Sequence, residues 1–546
     1  MVVLLVLMAG HSLLGFQPPR GHDAVYYFPR HVEFEQALAD GQMVPRWAPD
    51  LNLGYGEPLF NFTPPLFYYL TAAVHSLGIG LAAASSLAAL SLLATAGLGM
   101  YLLARDFFGP SGGLIAASAY LFAPYLLVTL YVRYAMGDFA AFAFVPIAFW
   151  GTTRFARDSQ APSLAIGSVA TALLLLSSNH VALITIPCVA AGITAIALAN
   201  RSVGALARGA TTVALGVGMA AFFWLPALLE HDEVYIGRAI KGAYAYFHHF
   251  VYPEQLLYSP WGYGGSVEGP GDGLSLSLGT PHLILAALLG LSLLRFRKSP
   301  RASGASVFAL GLVALASFFA TDASARLWAA VPTLQFLQFP WRFLSLGTVA
   351  LSFACGAAGL LFKGKRRFGL AWTAGVVALF VFQGFPNARP DGPIQSVDET
   401  LSAENVAAWH LVGSNANEFE PINVQATPTE PPPEQLSVVS GQADWEVRKL
   451  TGTSREFTID AHTESRLRLN TSYFPGWVAS VDGAPLELRY DNQQAALEIP
   501  IKPGLHEVRF DFTDTDIRVW ATRLSLASLV VLVSLLLTRP WRRAVR

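Results

Sequence analysis

Residues 82–104 read AAASSLAALSLLATAGLGMYLLA, a run of 23 residues without one charged side chain. An α-helix rises about 1.5 Å per residue, so roughly 20 apolar residues cross the hydrocarbon core of a bilayer. Charged side chains are costly in that environment, which explains their absence from this run. The stretch therefore predicts a membrane-spanning helix and places the chain among integral membrane proteins.

Similar apolar runs recur along the chain, near residues 112–130, 138–153, 161–178, 181–199, 209–228, 282–294, 304–320, 343–362, 368–386 and 519–538. Residues 1–16 are also apolar, and they predict a first spanning helix because no basic region or clear cleavage site marks a signal peptide. Together the runs predict a polytopic α-helical membrane protein with about twelve transmembrane helices. Residues 64–80 are shorter and begin with Pro64-Pro65, so they predict a juxtamembrane or re-entrant helix.

The overall composition agrees with a membrane protein and excludes several other classes. Of the 546 residues, 53% are hydrophobic and only 13% are charged, whereas soluble domains carry about 25% charged residues. The net charge of −1 gives no basic stripe, so nucleic acid is not an expected partner. Both cysteines, Cys188 and Cys355, lie inside apolar runs, which predicts neither a disulfide nor a thiolate zinc site.

Basic residues lie in alternate loops and so predict the orientation of the chain. The clusters are Arg105; Arg154 and Arg157; Arg201 and Arg208; Arg295, Arg297, Lys298 and Arg301; Lys363, Lys365, Arg366 and Arg367; and Arg539, Arg542, Arg543 and Arg546. Short loops rich in Lys and Arg stay in the cytoplasm. The opposite loops are then extracytoplasmic, namely 17–81, 131–137, 179–180, 229–281, 321–342 and 387–518.

The region before the last apolar run has a different pattern. Polar and apolar residues alternate in 455–459, 466–469 and 508–512, as in half-buried strands. Turn signals separate these segments at Pro475-Gly476, Asp482-Gly483 and Pro503-Gly504. This pattern predicts a small extracytoplasmic β-sandwich.

Four parts of the chain follow from these patterns. They are a transmembrane domain over 1–386 with an amphipathic first outer loop (17–81), an extracytoplasmic linker over 387–434, the β-sandwich over 435–518, and a terminal transmembrane helix with a basic cytoplasmic tail over 519–546.

The first outer loop holds the most informative sequence. It begins GHDAVYYFPR at residues 21–30, and its place after the first helix puts Asp23 at the membrane surface. Pro29 suits a first helical turn, so an amphipathic helix is expected from Pro29 to Asp40. The segments GQMVPRWAPD (41–50) and GYGEPLFNFTPP (54–65) follow. Their glycine, proline and aromatic residues indicate a defined, packed loop.

These motifs resemble the GT-C class of membrane glycosyltransferases and, more narrowly, the bacterial family of 6-pyruvoyl-tetrahydropterin-synthase-related membrane proteins. The resemblance covers most of the chain. The residues that carry it are Asp23 with Arg30, and the segments 41–47, 54–56, 60–69, 131–138, 177–180, 338–343 and 473–477 with Asp482-Gly483.

The resemblance implies transfer of a sugar from a polyprenyl-phosphate donor to a glycan, lipid or protein acceptor, on the outer face of the bacterial inner membrane. In that class an acidic residue of the first outer loop is the general base, and Asp23 occupies this position. The alternative for Asp23 is a helix cap or a solvated loop acid. Asp138 is the second catalytic candidate, although related proteins often have glutamate there; it could orient the acceptor, help bind a metal, or pair with Arg133.

A departing lipid phosphate needs cations or hydrogen-bond donors because negative charge develops on its oxygens. The expected substrate-binding residues are His22, Arg30, Arg133, His180, Arg238, Lys241 and Arg342. Arg342 could instead anchor a helix at the interface, and His180 with Asn179 could cap one. No cofactor is predicted, and a divalent metal ion stays open because no compact ligand spacing occurs in the sequence.

Two other functions stay open at the level of sequence. A transporter or flippase for a lipid-linked glycan predicts ionisable residues deep within helices, or broken helices in matched halves. A non-catalytic envelope assembly factor predicts that Asp23, Asp138 and Arg342 lie apart from one another.

Overall fold

The structure is a computed structural model that describes residues 1–292, 300–362, 364–393, 414 and 416–538. Its helices are α1 Val2–Ala9, α2 Ala24–Ala39, α3 Leu59–Phe62, α4 Leu66–His75, α5 Leu81–Leu121, α6 Pro124–Leu127, α7 Met136–Asp158, α8 Ala161–Leu175, α9 Asn179–Ala199, α10 Val203–Met219, α11 Ala221–Leu229, α12 Pro253–Leu257, α13 Thr280–Ser292, α14 Pro300–Ala320, α15 Ala325–Ala330, α16 Pro332–Gln335, α17 Leu344–Cys355, α18 Arg366–Gly384 and α19 Asp516–Thr538. The strands are β1 Leu436–Ser440, β2 Ala443–Leu450, β3 Ser454–Ala461, β4 Ser465–Ser472, β5 Trp477–Val481, β6 Ala484–Leu486, β7 Ala496–Ile501 and β8 Gly504–Phe512.

Several predicted features fall on the rest of the chain. The basic residues Arg295, Arg297, Lys298 and Lys363, the tail 539–546, and linker residues 394–413 and 415 lie outside the described residues.

Within the described ranges, seven helical segments are long and apolar enough to cross a membrane. They are Leu81–Leu121, Met136–Asp158, Asn179–Ala199, Pro300–Ala320, Pro340–Leu360, Arg366–Asn387 and Asp516–Thr538. The pair α10 and α11, bent by 72°, adds an eighth if it counts as one span. The multi-pass helical class is therefore confirmed, whereas the predicted count of about twelve is not. The difference arises partly because α8 and α13 are too short to meet the length criterion.

Helix α5 turns back on itself and includes residues from two of the predicted apolar runs. The first run, 82–104, lies wholly within it, and the second, 112–130, lies within it only as far as Leu121. The 41 residues of α5 break at Gly109, where φ is +78° and the next residue is Pro110. A Cβ on Gly113 would lie 2.8 Å from the backbone oxygen of Tyr101, so the two arms pack closely only because position 113 is glycine. The turn places residues 105–109 at one end of the helical bundle.

Two expectations for the N-terminal region need correction. Helix α1 has eight residues, which span about 12 Å and are too few to cross a bilayer. Helix α2 begins at Ala24, not at Pro29, so Pro29 lies inside the helix and not in its first turn. The earlier start follows a tertiary contact, because the Asp23 backbone N–H donates to the Arg133 carbonyl at 2.9 Å. Helix α4 has ten residues, about half the length of a span.

The C-terminal β-sheet domain is confirmed as two antiparallel sheets. One sheet has the order β1-β4-β7 and the other β2-β3-β8-β5-β6. Their inner faces share one apolar core, which includes Leu467 and Leu469 from β4 and Phe457 and Ile459 from β3. The predicted Asp482-Gly483 turn joins β5 to β6 with positive φ at both residues, the conformation that a tight hairpin requires.

The β-sheet domain packs directly against the first outer loop. The fully buried Trp47 ring lies 5.6 Å from Trp477 and 5.5 Å from Phe512, measured between ring centroids. The Ser472 N–H donates to the Tyr55 carbonyl at 2.9 Å. The loop and the β-sheet domain therefore share a core. The division of the sequence into a transmembrane domain and an outer domain did not predict this shared core.

Candidate functional site

Asp23 lies at the N-cap position of α2, where the first outer loop meets the end of a π-helical turn, Val128–Arg133. Its backbone N–H bonds to Arg133, and the approach is close because a Cβ on Gly21 would lie 2.5 Å from the Cβ of Tyr134. The Asp23 side chain makes no capping hydrogen bond with α2. Its half-buried carboxylate therefore stays available for other contacts.

Asp138, in the first turn of α7, is bound on both carboxylate oxygens. Oδ2 accepts a hydrogen bond from Arg133 Nη2 at 3.1 Å, and Oδ1 accepts one from the Ser178 hydroxyl at 2.7 Å. The side chains of Arg133 and Asp138 are only 7% and 11% exposed. The Arg133 guanidinium also lies 4.6 Å from the centre of the Trp341 ring. The ion pair that sequence left open is thus present and well shielded from solvent.

Arg342 and His180 complete the same cluster. Arg342 is buried, and its Nη1 donates to the Leu337 carbonyl at 2.7 Å and to Gln338 Oε1 at 2.9 Å. Arg342 and His180 both lie within electrostatic range of Asp138. Arg342 is therefore part of the protein interior at the end of α9, and not an exposed interfacial anchor.

The cluster has more positive than negative charge in its interior. Arg133 and Arg342 are both buried, against a single buried carboxylate, Asp138. Moreover, Arg133 Nη1 and Arg342 Nε are buried and have no hydrogen-bond partner among the described residues. Buried charged donors are normally paired. The arrangement is thus suited to an anionic ligand, with Asp23 within electrostatic range of both arginines.

Aromatic side chains of the first outer loop border the cluster. Arg30 is half-buried, lies 5.7 Å from the centre of the Tyr26 ring, and interacts with Tyr68. Burial raises the pKa of Tyr27 well above its usual value, which keeps its hydroxyl neutral. That hydroxyl accepts a hydrogen bond from the Gly137 N–H at 2.9 Å and so links α2 to the start of α7.

Three predicted substrate-binding residues are engaged elsewhere or exposed. Arg238 donates to Glu420 Oε2 at 2.6 Å and lies 4.0 Å from the centre of the Tyr235 ring. Lys241 is exposed. The exposed His22 contacts the Tyr263 carbonyl through Nε2 at 3.0 Å. The contacts described for these residues do not join them to the pair of Asp138 and Arg133.

Ser178 and Trp341 were assigned no role from sequence. Ser178 precedes α9 and accepts the Val181 N–H at 3.2 Å, so it caps this helix while its hydroxyl donates to Asp138. Asn179 instead donates to the Phe62 carbonyl, so the helix is not capped by Asn179 with His180. A serine before an apolar run is a recognisable capping signal. Nothing local to residue 341 shows that its ring meets Arg133.

The described residues contain no group of three or more His, Cys, Asp or Glu side chains placed to hold a metal ion. Cys188 and Cys355 are buried free thiols. The possibility of a divalent metal therefore gains no support from these side chains.

The fold and this cluster define a multi-pass helical membrane protein with a C-terminal β-sheet domain and a buried, arginine-rich site. No protein-family profile and no curated protein sequence matches the chain. The narrower resemblance to the pterin-synthase-related family thus has no support from these comparisons.

Three solved structures are similar to this chain. The mycobacterial arabinofuranosyltransferase AftD is 18% identical, with a TM-score of 0.44, over 72% of this chain and 27% of its own. The Archaeoglobus fulgidus oligosaccharyltransferase, in complex with Zn and sulfate, is 15% identical, with a TM-score of 0.38, over 77% of this chain and 58% of its own. ArnT from Cupriavidus metallidurans, bound to undecaprenyl phosphate, is 14% identical, with a TM-score of 0.37, over 76% of this chain and 77% of its own.

This chain therefore spans about a quarter of the length of AftD and just over half of that of the oligosaccharyltransferase. All three TM-scores lie below 0.5, so the proposed function rests on the contacts within the chain itself.

Proposed function

We propose that the protein is a GT-C-like membrane glycosyltransferase that transfers a sugar from a polyprenyl-phosphate donor to a hydroxyl of a glycan, lipid or protein acceptor. The observation that carries the proposal is the buried pair Arg133 and Arg342. Each has a guanidinium nitrogen without a hydrogen-bond partner among the described residues, and both lie within electrostatic range of the half-buried Asp23. This combination suits a phosphate leaving group beside a base.

The reaction has a simple balance of bonds. The acceptor oxygen forms a bond to the anomeric carbon, and the bond from that carbon to the phosphate oxygen breaks. The acceptor proton passes to Asp23, and the negative charge that develops on the phosphate is stabilised by Arg133 and Arg342. Attack from the face opposite the phosphate inverts the anomeric centre.

Asp23 is better placed than Asp138 to act as the base. Among the described residues, no hydrogen bond or ion pair occupies the Asp23 carboxylate, whereas both oxygens of Asp138 are bound to Arg133 and Ser178. Asp138 is thus a positioning residue that holds Arg133 in place. Its carboxylate contacts Arg133 directly at 3.1 Å, which fits this role.

The site is proposed to face outward at a bacterial inner membrane. Its residues come from 17–81, 131–138, 179–180 and 321–342, most of which lie in loops that the distribution of Lys and Arg places outside. Membrane lipids surround the spans, and the C-terminal tail is proposed to lie in the cytoplasm.

Sugar transfer from a labelled polyprenyl-phosphate donor, with the purified protein in proteoliposomes, tests the proposal. Asp23→Asn is expected to lower kcat by about 10²- to 10⁴-fold, the usual contribution of a general base. Asp232→Asn is the matched control, because this carboxylate is 89% exposed on a neighbouring outer loop. A wild-type rate in Asp23→Asn would exclude Asp23 as the base.

The phosphate-binding role has a separate readout. Arg133→Gln and Arg342→Gln are expected to lower transfer and to weaken binding of the polyprenyl phosphate itself, which can be titrated without any acceptor. Lipid translocation by vesicles that show no sugar transfer with any donor would instead identify a flippase.

A further inference from the structure

A second charged cluster lies at the opposite end of α7 from the candidate site. Asp138 and Arg157 are 19 positions apart on this helix. At about 1.5 Å per residue, their backbones are about 28 Å apart, close to the thickness of the hydrocarbon core. The turn of α5 at Gly109 lies at this same end, because Asp106, three residues before the turn, contacts Arg157 directly.

The Asp106 carboxylate is shared by three side chains. Its Oδ2 lies 3.5 Å from Arg154 Nη1 and 3.8 Å from Arg157 Nη2. The same oxygen accepts a hydrogen bond from Trp150 Nε1 at 3.1 Å. Arg154 and Arg157 therefore share the single carboxylate of Asp106.

A third arginine comes from another helix and meets the same aromatic ring. The guanidinium of Arg301, in the first turn of α14, lies 5.0 Å from the centre of the Phe107 ring. The guanidinium of Arg157 lies 5.1 Å from that ring. Arg301 is also within electrostatic range of Asp106 and Arg154. Residues from α5, α7 and α14 thus converge on Phe107.

The charges in this cluster are not balanced. Arg154 and Arg157 pair with one carboxylate, Asp106, which is 22% exposed, and the exposed Arg301 lies within electrostatic range of it. Asp158 lies 3.9 Å from Arg154 but is 44% exposed, and exposed pairs at this distance contribute little. The Arg157 side chain is only 13% exposed, and its Nη1 is buried without a hydrogen-bond partner among the described residues. A buried guanidinium nitrogen in this state is a donor suited to an anion.

We propose that Arg154, Arg157 and Arg301 bind a phosphate ester, carried by the headgroup of an anionic phospholipid or by a soluble phosphate. Arginine forks match phosphate oxygens in bidentate geometry, and the first turn of α14 adds the positive end of a helix dipole beside Arg301. The cluster lies where α5 turns, α7 ends and α14 begins, which is the level of lipid headgroups for helices that span a bilayer. Basic pockets between helices at this depth suit anionic lipids. This site is separate from the proposed sugar transfer.

Lipid titration of the purified full-length protein in detergent, followed by native mass spectrometry, tests the proposal. The wild-type protein is expected to bind phosphatidylglycerol at least tenfold more tightly than phosphatidylcholine. The double variant Arg157→Gln/Arg301→Gln is expected to lose that preference. Arg105→Gln is the matched control, because Arg105 is exposed near the same turn and lies against Tyr101; its affinity should stay within about twofold of wild type.

Inorganic phosphate, added as a competitor, separates the two sources of the phosphate group. Displacement of phosphatidylglycerol at millimolar phosphate identifies a soluble phosphate ligand. Binding that resists phosphate identifies a lipid headgroup. In both cases the binding must depend on Arg157 and Arg301.

A variant that is expected to bind more tightly separates loss of the site from misfolding. Asp106→Asn removes the competing carboxylate but keeps an oxygen for Trp150, so it should tighten binding several-fold. A misfolded protein would not bind more tightly. Equal affinity of wild type, the double arginine variant and Asp106→Asn for phosphatidylglycerol would overturn the proposal.

Discussion

Glu230, at the C-terminal end of α11, forms a buried ion pair with Arg518 in the first turn of α19. Arg518 also bonds to the Pro475 carbonyl of the β-sheet domain, so removing the Glu230 charge tests how that domain is held. Glu230 Oε2 accepts hydrogen bonds from Arg518 Nε at 3.0 Å and from Asn61 Nδ2 at 2.8 Å. Its Oε1 accepts one from the Thr515 hydroxyl at 2.6 Å. The side chains of Arg518 and Glu230 are 0% and 4% exposed. In Glu230→Gln the geometry is nearly retained, but Arg518 loses its buried counter-charge.

The expected cost follows from the contacts that remain. Breaking a buried ion pair by removing one partner costs roughly 3–5 kcal/mol. Arg518 keeps bonds to the Pro475 carbonyl at 2.9 Å and the Thr513 carbonyl at 3.3 Å, which favours the lower end of that range. The positive charge of Arg518 is also felt by its neighbour Arg46, whose pKa is lowered to about 10 by burial first and by the charge of Arg518 second. A loss of about 3 kcal/mol corresponds to a change of somewhat more than 100-fold in an equilibrium constant.

Hydrogen exchange provides the assay, because two amides are protected only while the β-sheet domain is docked. The Ser472 N–H bonds to the Tyr55 carbonyl at 2.9 Å, and the Gly452 N–H bonds to the Asp40 carboxylate at 2.7 Å. Both amides should exchange about 100-fold faster in Glu230→Gln, since their exchange reports the population of the open state.

Two further variants decide whether the reasoning holds. Asp514 is 54% exposed and lies 3.6 Å from Arg46, so Asp514→Asn should cost under about 1 kcal/mol. Replacing the pair together, as Glu230→Leu/Arg518→Met, should cost less than either single change, because no unpaired charge stays buried. Equal exchange in Glu230→Gln and Asp514→Asn, or additive losses in the double variant, would refute the account.

Two more predictions concern the first outer loop. Burial raises the pKa of Glu57 to about 8 from its usual 4.5, partly offset by Arg30. Protonation of Glu57 therefore stabilises the fold fully below pH 4.5, and this stabilisation is lost as the pH rises through 8. Glu57→Gln should therefore melt above wild type at pH 9 but not at pH 5, and parallel melting curves would contradict this. At Gly56, φ is +75° and an added Cβ would lie 2.5 Å from the Trp47 ring, so Gly56→Ala should cost about 2–4 kcal/mol in denaturant unfolding, which combines the backbone strain with the clash. Gly41→Ala, at φ +91° in open space, should cost only the backbone strain of about 1 kcal/mol, and equal losses would disprove the clash.

The features that sequence predicted well depend on neighbours in the chain. The run at 82–104 lies within α5, and the alternation at 455–459 lies within β3, because hydropathy period is a local property. The turn at Asp482-Gly483 was also predicted from two adjacent residues. Helix number was harder, since an apolar run does not reveal whether it bends, as α10 and α11 do at 72°.

Contacts between distant parts of the chain were beyond prediction for the same reason. Trp47 and Trp477 are separated by more than four hundred residues, yet their rings lie in T-shaped contact. The linker residue Glu420 is fully buried against Arg238, so this arginine is paired with a carboxylate from a distant part of the chain. Neither contact has a signal in the sequence around it.

The two candidate carboxylates differ in contacts that only the folded structure reveals. In the sequence, Asp23 and Asp138 are alike, each an acidic residue near the outer end of a helix. In the fold, Asp138 is enclosed with Arg133 at 3.1 Å, where low exposure strengthens the pair and commits the carboxylate to it. Asp23 is half-exposed and keeps its oxygens unbound by other described residues. Since Arg342 adds a second buried cation, the interior is left with more positive than negative charge, and an anion beside Asp23 is the ligand that would balance it.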